Sequence, residues 1–226
     1  SLQRQILFLY LENALMKIKR FEVGPFAENT YLLTAGNDAL LVDPGFSNEK
    51  EFKQFRSELA NSGSLLKAVL LTHAHIDHVL GLPAVLKAFD VDIYLNHTDL
   101  TPWNSISQQA RMFGLQADNL DFTPNELPGS GTLSIGSFRM DLLYTPGHAP
   151  DHVSIYFEDD DVVLAGDTLF KQSVGRTDLY KGDSDLLKKS ILEKLYTLPD
   201  KTTVYPGHGM VTTIGEEKRN NPFIRG

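Results

Sequence analysis

Residues His73-Ala74-His75-Ile76-Asp77-His78 place four metal-ligating side chains in six positions, directly after the apolar run Ala68-Val69-Leu70-Leu71-Thr72. Such a run reads as a buried strand, and a strand holds the loop that leaves it rigidly at a sheet edge. Imidazole nitrogens with a carboxylate oxygen suit zinc, and also manganese or iron. At this chain's His and Asp frequencies, chance yields the pattern H-x-H-x-D-H roughly once in two thousand such chains. A His-rich surface turn is therefore the poorer reading.

Single ligand-type residues recur in the same local setting. His148 follows Phe138-Arg139-Met140-Asp141-Leu142-Leu143 within Tyr144-Thr145-Pro146-Gly147-His148, and His208 ends Val204-Tyr205-Pro206-Gly207-His208. Asp167 closes Val162-Val163-Leu164-Ala165-Gly166-Asp167. Each time a strand-like run meets Gly or Pro, which permit a tight turn, and a His or Asp follows. One such residue alone is more often a solvated turn residue; four strand ends together point to one convergent site.

Composition narrows the chemistry. With 226 residues and 42% hydrophobic content the chain can fill a substantial core, as one large domain or a tight two-layer pair. Net charge is −8 with no Lys/Arg cluster against it, which disfavours a nucleic-acid partner. Cysteine is absent, which removes disulfides, iron–sulfur clusters, thiolate zinc sites and cysteine nucleophiles, and fits a reducing cytoplasm. The apolar run Ile6 to Leu11 is too short to span a bilayer and lacks a small-residue cleavage site, so no membrane partner is expected. Met16 opens a cleaner strand pattern. Residues 1–15 are expected to form an N-terminal extension, and 16–226 a single domain.

Alternation predicts strands near 17–23, 30–34 and 39–43, the last running into Val42-Asp43-Pro44-Gly45. A helix from Asn48 to Asn61 is marked by an Asn48/Glu51 capping pair and the stripe Phe52, Phe55, Leu59. Strand 68–72, helix 79–89, strand 91–95 and a helical stretch 98–114 broken at Pro102 follow. Residues 118–131 read as a long connection. The second half predicts strands at 132–135, 138–145, 153–157 and 161–166, a helix from Ser184 to Thr197, strand 202–205 and helix 214–220. Both halves thus read as strands followed by βα units. The expected fold is an α/β four-layer αββα sandwich with all ligand loops along one edge.

These residues resemble the metallo-β-lactamase superfamily over essentially all of 16–226. Its landmarks appear in order as Asp43 in V-D-P-G, the T-H-A-H-I-D-H loop, His148 in P-G-H, Asp167 in A-G-D and His208 in P-G-H-G. Asp167-Thr168-Leu169-Phe170, Gly175-Arg176-Thr177-Asp178 and Ile214-Gly215-Glu216-Glu217-Lys218 followed by Asn221-Pro222-Phe223 are similar to compact bacterial glyoxalase II-like hydrolases. The resemblance implies one metal on His73, His75 and His148, a second on Asp77, His78 and His208, and Asp167 bridging both. It implies two divalent ions, zinc by first expectation with iron or manganese as alternatives. Two such ions lower the pKa of a shared water toward neutrality, and the resulting hydroxide attacks a carbonyl, with Asp77 orienting it.

An aspartate at 167 argues against antibiotic hydrolysis, because zinc β-lactamases with a three-histidine first site typically carry cysteine there. The second His of H-x-H-x-D-H argues against the di-iron flavoproteins. Asp43 reads either as a support that orients a ligand or as a turn cap. His152 reads as a supporting or packing histidine and His97 as a surface residue, the ligand set being already complete. Arg176 either meets an anionic substrate group or braces its loop through Asp178. The expected partner is a small-molecule thioester of the hydroxyacylglutathione type. The chain runs only 18 residues past His208, which leaves little of the helical domain that grips glutathione in glyoxalase II. The alternative is an iron-dependent persulfide dioxygenase with one iron on His73, His148 and Asp167.

Overall fold

Period-two alternation decides which layer each strand residue enters. The computed structural model describes residues 15–226, so the expected extension, but for Leu15, lies outside the described residues. Strands β1 (Lys17–Val23), β2 (Glu28–Ala35), β3 (Asp38–Val42), β4 (Leu65–Leu70), β5 (Asp92–Leu95) and β6 (Asn125–Glu126) form a six-stranded sheet in sequence order. Leu33, Leu40, Val42, Ala68 and Leu70 point to one face, while Leu32, Ala39, Leu41 and Val69 point to the other.

The second sheet comprises β7 (Ser130–Ile135), β8 (Phe138–Tyr144), β9 (Val153–Phe157), β10 (Val162–Gly166), β13 (Thr203–Pro206) and β14 (Thr212–Thr213). Its order is β14-β13-β10-β9-β8-β7, and β11 (Leu169–Phe170) pairs with β12 (Ser173–Val174) in a separate hairpin. Phe138, Met140, Ile155, Phe157 and Leu164 meet the first sheet's inner face, which makes the inter-sheet core. The outer face of the first sheet is covered by α1 (Glu49–Ser62), α2 (Ile76–Val79), α3 (Leu82–Ala88), α4 (Thr101–Asn104) and α5 (Ile106–Met112), through Phe55, Leu82, Trp103 and Ile106. The outer face of the second packs on α6 (Ser184–Ser190) and α7 (Ile214–Asn220), through Leu187 and Ile214. Three apolar interfaces between four layers give the αββα sandwich.

Local differences from the expected elements have physical causes. Asn48 does cap α1, accepting from Glu51 N, but the Glu51 carboxylate turns to Ser47 N and Gly24 N and ties β1's end to the helix. The helix expected over 79–89 breaks at Gly81, whose N–H donates to Pro44 O at 2.8 Å. A Cβ there would lie 2.7 Å from the Phe46 ring, so only glycine lets the Asp43-Pro44-Gly45 turn dock. Strand β4 ends at Leu70, two residues early, because Thr72 O leaves its own sheet to accept from Val153 N at 2.8 Å. The connection 118–131 contains β6, and the hairpin β11–β12 also escaped prediction. Two-residue strands carry no periodicity to read. The helix from Ser184 becomes a π turn over Ile191–Leu195, where Tyr196 N reaches Ile191 O, and both Leu195 and Tyr196 become buried.

Phe55 is fully buried and packs against the rings of Phe21, Phe46, Phe52 and Phe89. Phe55→Ala is expected to cost about 3–5 kcal/mol of unfolding free energy. Leu65→Ala, at a site 66% exposed, should change it by less than about 0.5 kcal/mol. Urea denaturation of both variants checks the contrast.

Candidate metal centre

Four loops at one edge of the sandwich carry the ligand-type residues, as the strand-end reading anticipated. The β4–α2 loop supplies His73 and His75, and α2 itself carries Asp77 and His78. His148 lies between β8 and β9, Asp167 just after β10, and His208 between β13 and β14. Ligand atoms of His73, His75 and His148 all lie within 4.8 Å of one another, as do those of Asp77, His78 and His208. His75 Nδ1 lies 2.8 Å from His148 Nε2, and His208 Nε2 lies 3.1 Å from Asp77 Oδ2. Asp167 spans the two groups. Its Oδ2 is 3.4 Å from His148 Nε2, and its Oδ1 is 3.4 Å from His78 Nε2. The structure therefore brings together all seven residues.

Neighbouring acceptors fix the orientation of four rings. His78 Nδ1 faces Asp43 Oδ2 at 3.0 Å, His148 Nδ1 faces Arg176 O at 2.8 Å, and His208 Nδ1 faces Phe26 O at 3.2 Å. Each acceptor requires hydrogen on Nδ1, which leaves Nε2 as the ring atom turned to the cluster, where a cation would take the place of its proton. His73 Nδ1 meets Thr72 Oγ1 at 3.0 Å, and that hydroxyl already donates to Asp43 Oδ2 at 2.7 Å, so it accepts from the ring. Asp43 thus reaches two ligands, directly to His78 and through Thr72 to His73. Its Oδ1 also accepts from Thr72 N, and its backbone is held at φ 49°, a conformation costly for a non-glycine residue.

Three buried atoms, His73 Nε2, His78 Nε2 and Asp167 Oδ1, have no hydrogen-bond partner among the described residues. Leaving such atoms bare inside a protein is costly unless a cation meets them. The residues present therefore fit two divalent ions, each with nitrogen and oxygen donors. Electrostatics agree. Burial, with neighbouring imidazoles, holds His73 well below its ordinary value and His75 down to about 3. His148 is lowered by burial as well, so these rings are neutral donors at neutral pH. Burial works against the charged forms of Asp77 and Asp167, but His78 and His208 together, with His148 at Asp167, overcome it and both carboxyls are lowered. His78 is raised, because Asp167, Asp77 and Asp43 together overcome its burial.

The other candidates fall around the cluster. His152 Nε2 accepts from Asp167 N at 3.0 Å and its Nδ1 meets Thr145 Oγ1, so it positions the bridging residue's backbone. Arg176 contributes its carbonyl to His148, while its guanidinium forms two hydrogen bonds to Asp178, at 2.6 and 2.7 Å. His97 Nε2 binds Pro124 O, away from the centre. Sequence reading passed over three supports. Asp151 accepts from Ala74 N, between His73 and His75, and burial pushes its carboxyl up to about 7. Gln109 grips the same loop through Ala74 O and Ile76 N. Glu28 is buried with Oε1 3.8 Å from His78 Nδ1, and burial raises its carboxyl. A charged residue at the start of a strand was the one available signal, and a weak one, since Asn29 and Thr30 beside it are polar too. A cavity of about 360 Å³ opens over the cluster, walled by Phe26, Ile76, Phe113, Phe170 and Val174.

A family model described as the Metallo-beta-lactamase superfamily matches residues 23–208. The chain belongs to that superfamily, and is a metal-dependent hydrolase of it. The hydroxyacylglutathione hydrolase GloC of Haemophilus influenzae is 36% identical over 92% of this chain and 98% of its own. A solved structure of the BLEG-1 B3 metallo-beta-lactamase is 36% identical, with TM-score 0.82 over 93% of this chain and all of that one. TTHA1623, solved in a di-iron-bound form, is 37% identical, with TM-score 0.81 over 91% of this chain and all of that one. Among the described residues, no helix is long and apolar enough to cross a membrane.

Asp43→Ala is expected to weaken metal binding about 10–100-fold by releasing His78 and Thr72, measured by competition with a chromogenic chelator. In the metal-free protein, His73, His75, His148 and His152 are all lowered. Below about pH 6.5 the unfolded chain takes up protons that these folded rings refuse, so stability falls as pH falls. Glu28 and Asp151, raised by burial, act in the opposite sense over this range, but two carboxyls are outnumbered by four imidazoles. His78 and His208 are raised, so their contribution is already complete below 6.5. The urea midpoint without metal should drop between about pH 7 and 5; a midpoint that rises would contradict the neutral-imidazole arrangement.

Proposed function

We propose that this protein is a cytoplasmic thioester hydrolase of the hydroxyacylglutathione type, working with two divalent ions of zinc type. The observation that carries the reading is the convergence of seven ligand side chains, four of them rings oriented by neighbouring acceptors, beneath a cavity that admits a small molecule. Similarity to the Haemophilus hydroxyacylglutathione hydrolase supports the choice of a thioester. The absence of cysteine fits a reducing compartment and leaves no thiol nucleophile.

Two divalent ions, when bound, supply a water acidified toward neutrality and positive charge for the carbonyl oxygen. The chain's own residues do the rest. Asp77 lines the cavity floor, and its Oδ2 faces His208, which leaves the carboxylate to accept a hydrogen bond that orients the attacking water. A new C–O bond forms, the C–S bond breaks with its electron pair on sulfur, and the thiolate takes up a proton from solvent. A thiolate leaves easily, so no protein acid is needed at the leaving group. Phe26, Phe113 and Phe170 restrict bulk water above the site.

Protein loaded with zinc is expected to hold about two ions per chain and to turn over S-lactoylglutathione. Asp167→Ala should lower the metal content and reduce kcat/KM at least about a thousandfold. Elemental analysis and thiol release measured with Ellman's reagent decide this. Full metal occupancy with no turnover on any acyl thioester would overturn the proposal. One iron per chain with oxygen uptake on glutathione persulfide would assign the dioxygenase activity instead. The BLEG-1 similarity places a penicillin and a cephalosporin in the same panel.

A further inference from the structure

A second cleft, of about 280 Å³, opens beside the cavity over the cluster and shares His75, Gln109, Phe113 and Leu179 with it. Its walls are mostly carbon. Pro102 from α4, Met112 at the end of α5, Phe113, Leu179 and the ring of Tyr180 line it. Three of these are large and exposed side by side, with Met112 68%, Phe113 38% and Tyr180 47% accessible. Clustered exposure of this kind marks a binding surface more often than a solvated one. The Phe26 ring stands edge-on to Phe113 at 5.3 Å, and carries the apolar wall on into the first cavity.

The polar groups at the junction are already committed. Gln109 Nε2 donates to Ala74 O and Pro102 O, and its Oε1 accepts from Ile76 N. Among the described residues, no Lys, Arg, Asp or Glu lines the cleft. At its lip Lys181 is paired with Asp99 at 2.7 Å. Thr101, Ser105 and Gln108 add only neutral polar groups, so no charge among the described residues there complements a carboxylate or a phosphate. An arm that extends from the cluster past His75 into this cleft therefore has to be uncharged and rich in carbon.

We propose that the cleft is an acyl-chain subsite, and that the preferred substrates are thioesters of apolar acyl groups several carbons long. The assignment to the acyl arm follows from chemistry. Carrier thiols that keep thioesters in water are themselves polar, so the apolar arm is the acyl group. The polar side of the mouth, where Arg176 and Asp178 lie, then faces the thiol. The hydrolysis is unchanged, with water adding to the carbonyl carbon and sulfur leaving as thiolate to take up a proton. The substrate class rests on the thioester reading, whereas the cleft's affinity for an apolar chain does not.

Two measurements separate these. The binding arm uses zinc-loaded protein with ¹³C-methyl methionine, whose four resonances are Met16, Met112, Met140 and Met210, titrated with octanamide as an uncharged probe that does not turn over. Saturable movement of the Met112 methyl, with Met140 and Met210 unmoved, supports the subsite; Met112→Glu should abolish binding of the probe. No movement overturns it. Movement that depends on protein concentration rather than probe also overturns it, and assigns the face to a second copy of the chain.

The kinetic arm uses N-acetylcysteamine thioesters from acetyl to octanoyl. kcat/KM is expected to rise about twofold per methylene up to hexanoyl. Met112→Glu should lower hexanoyl turnover at least about fivefold and leave acetyl within about twofold. A flat or falling chain-length profile overturns the substrate class and leaves the hydrolase standing. If no thioester turns over while octanamide still moves Met112, the hydrolase reading fails and the apolar subsite survives.

Discussion

The carboxylate of Asp43 accepts three hydrogen bonds, from Thr72 N, Thr72 Oγ1 and His78 Nδ1. Through them the end of β3 holds the loop that leaves β4, and fixes His73 and His78 at once. Thr72 also joins the two sheets, since its carbonyl accepts from Val153 N at 2.8 Å. The backbone that carries the His-rich loop is therefore part of the seam between the sheets. Without this anchor the ligand loop would keep only the braces that Asp151 and Gln109 give it at Ala74 and Ile76. The positive φ at Asp43 is the strain that buys the geometry, and it persists because its N–H also donates to Leu70 O and its carbonyl accepts from Thr30 Oγ1, which with the three carboxylate contacts over-determine it.

Around that anchor the centre is built from buried groups that favour a cation over protons. Burial makes imidazoles poor proton acceptors, and adjacent rings add repulsion between their charged forms. It leaves their lone pairs available to a metal ion, which brings its own compensating charge. The carboxylates Asp77 and Asp167 are held ionised despite burial by the surrounding histidines, His78 foremost. The supporting layer is as ordered as the cluster. Asp151 and Gln109 brace the loop between His73 and His75, and His152 holds Asp167 by its backbone. Such partners tune ligand basicity and position as much as the ligands' own identity does.

The cavity adds selectivity to this generic centre. Phe26, Phe113 and Phe170 give it an apolar wall above the cluster. The second cleft continues the carbon surface, with no charged group among the described residues that line it. Its floor is α4 and α5, short helices that Pro102 starts and Gly114 ends. Helices joined by such tight turns present side chains more rigidly than a long loop would, which suits a subsite.

The residues of the cluster could be read before any coordinates, because metal ligation demands particular side chains and strand ends leave a local pattern. The alternating strands and the helical stripes of α1 and α6 likewise follow from periodicity, which is a property of consecutive residues. Elements of two residues, such as β6 and β11, have no period and escaped. Arg176 shows the limit most directly: its side chain read as either a substrate contact or a brace through Asp178, and the brace forms, but nothing in the sequence showed that its carbonyl orients His148. Glu28, Asp151 and Gln109 gain their roles only because folding sets them beside residues 35 to 77 positions away. Local chemistry is written along the chain, while ring orientation, burial and the shape of the clefts arise from contacts between distant segments. Those contacts exist only once the two sheets have closed on each other.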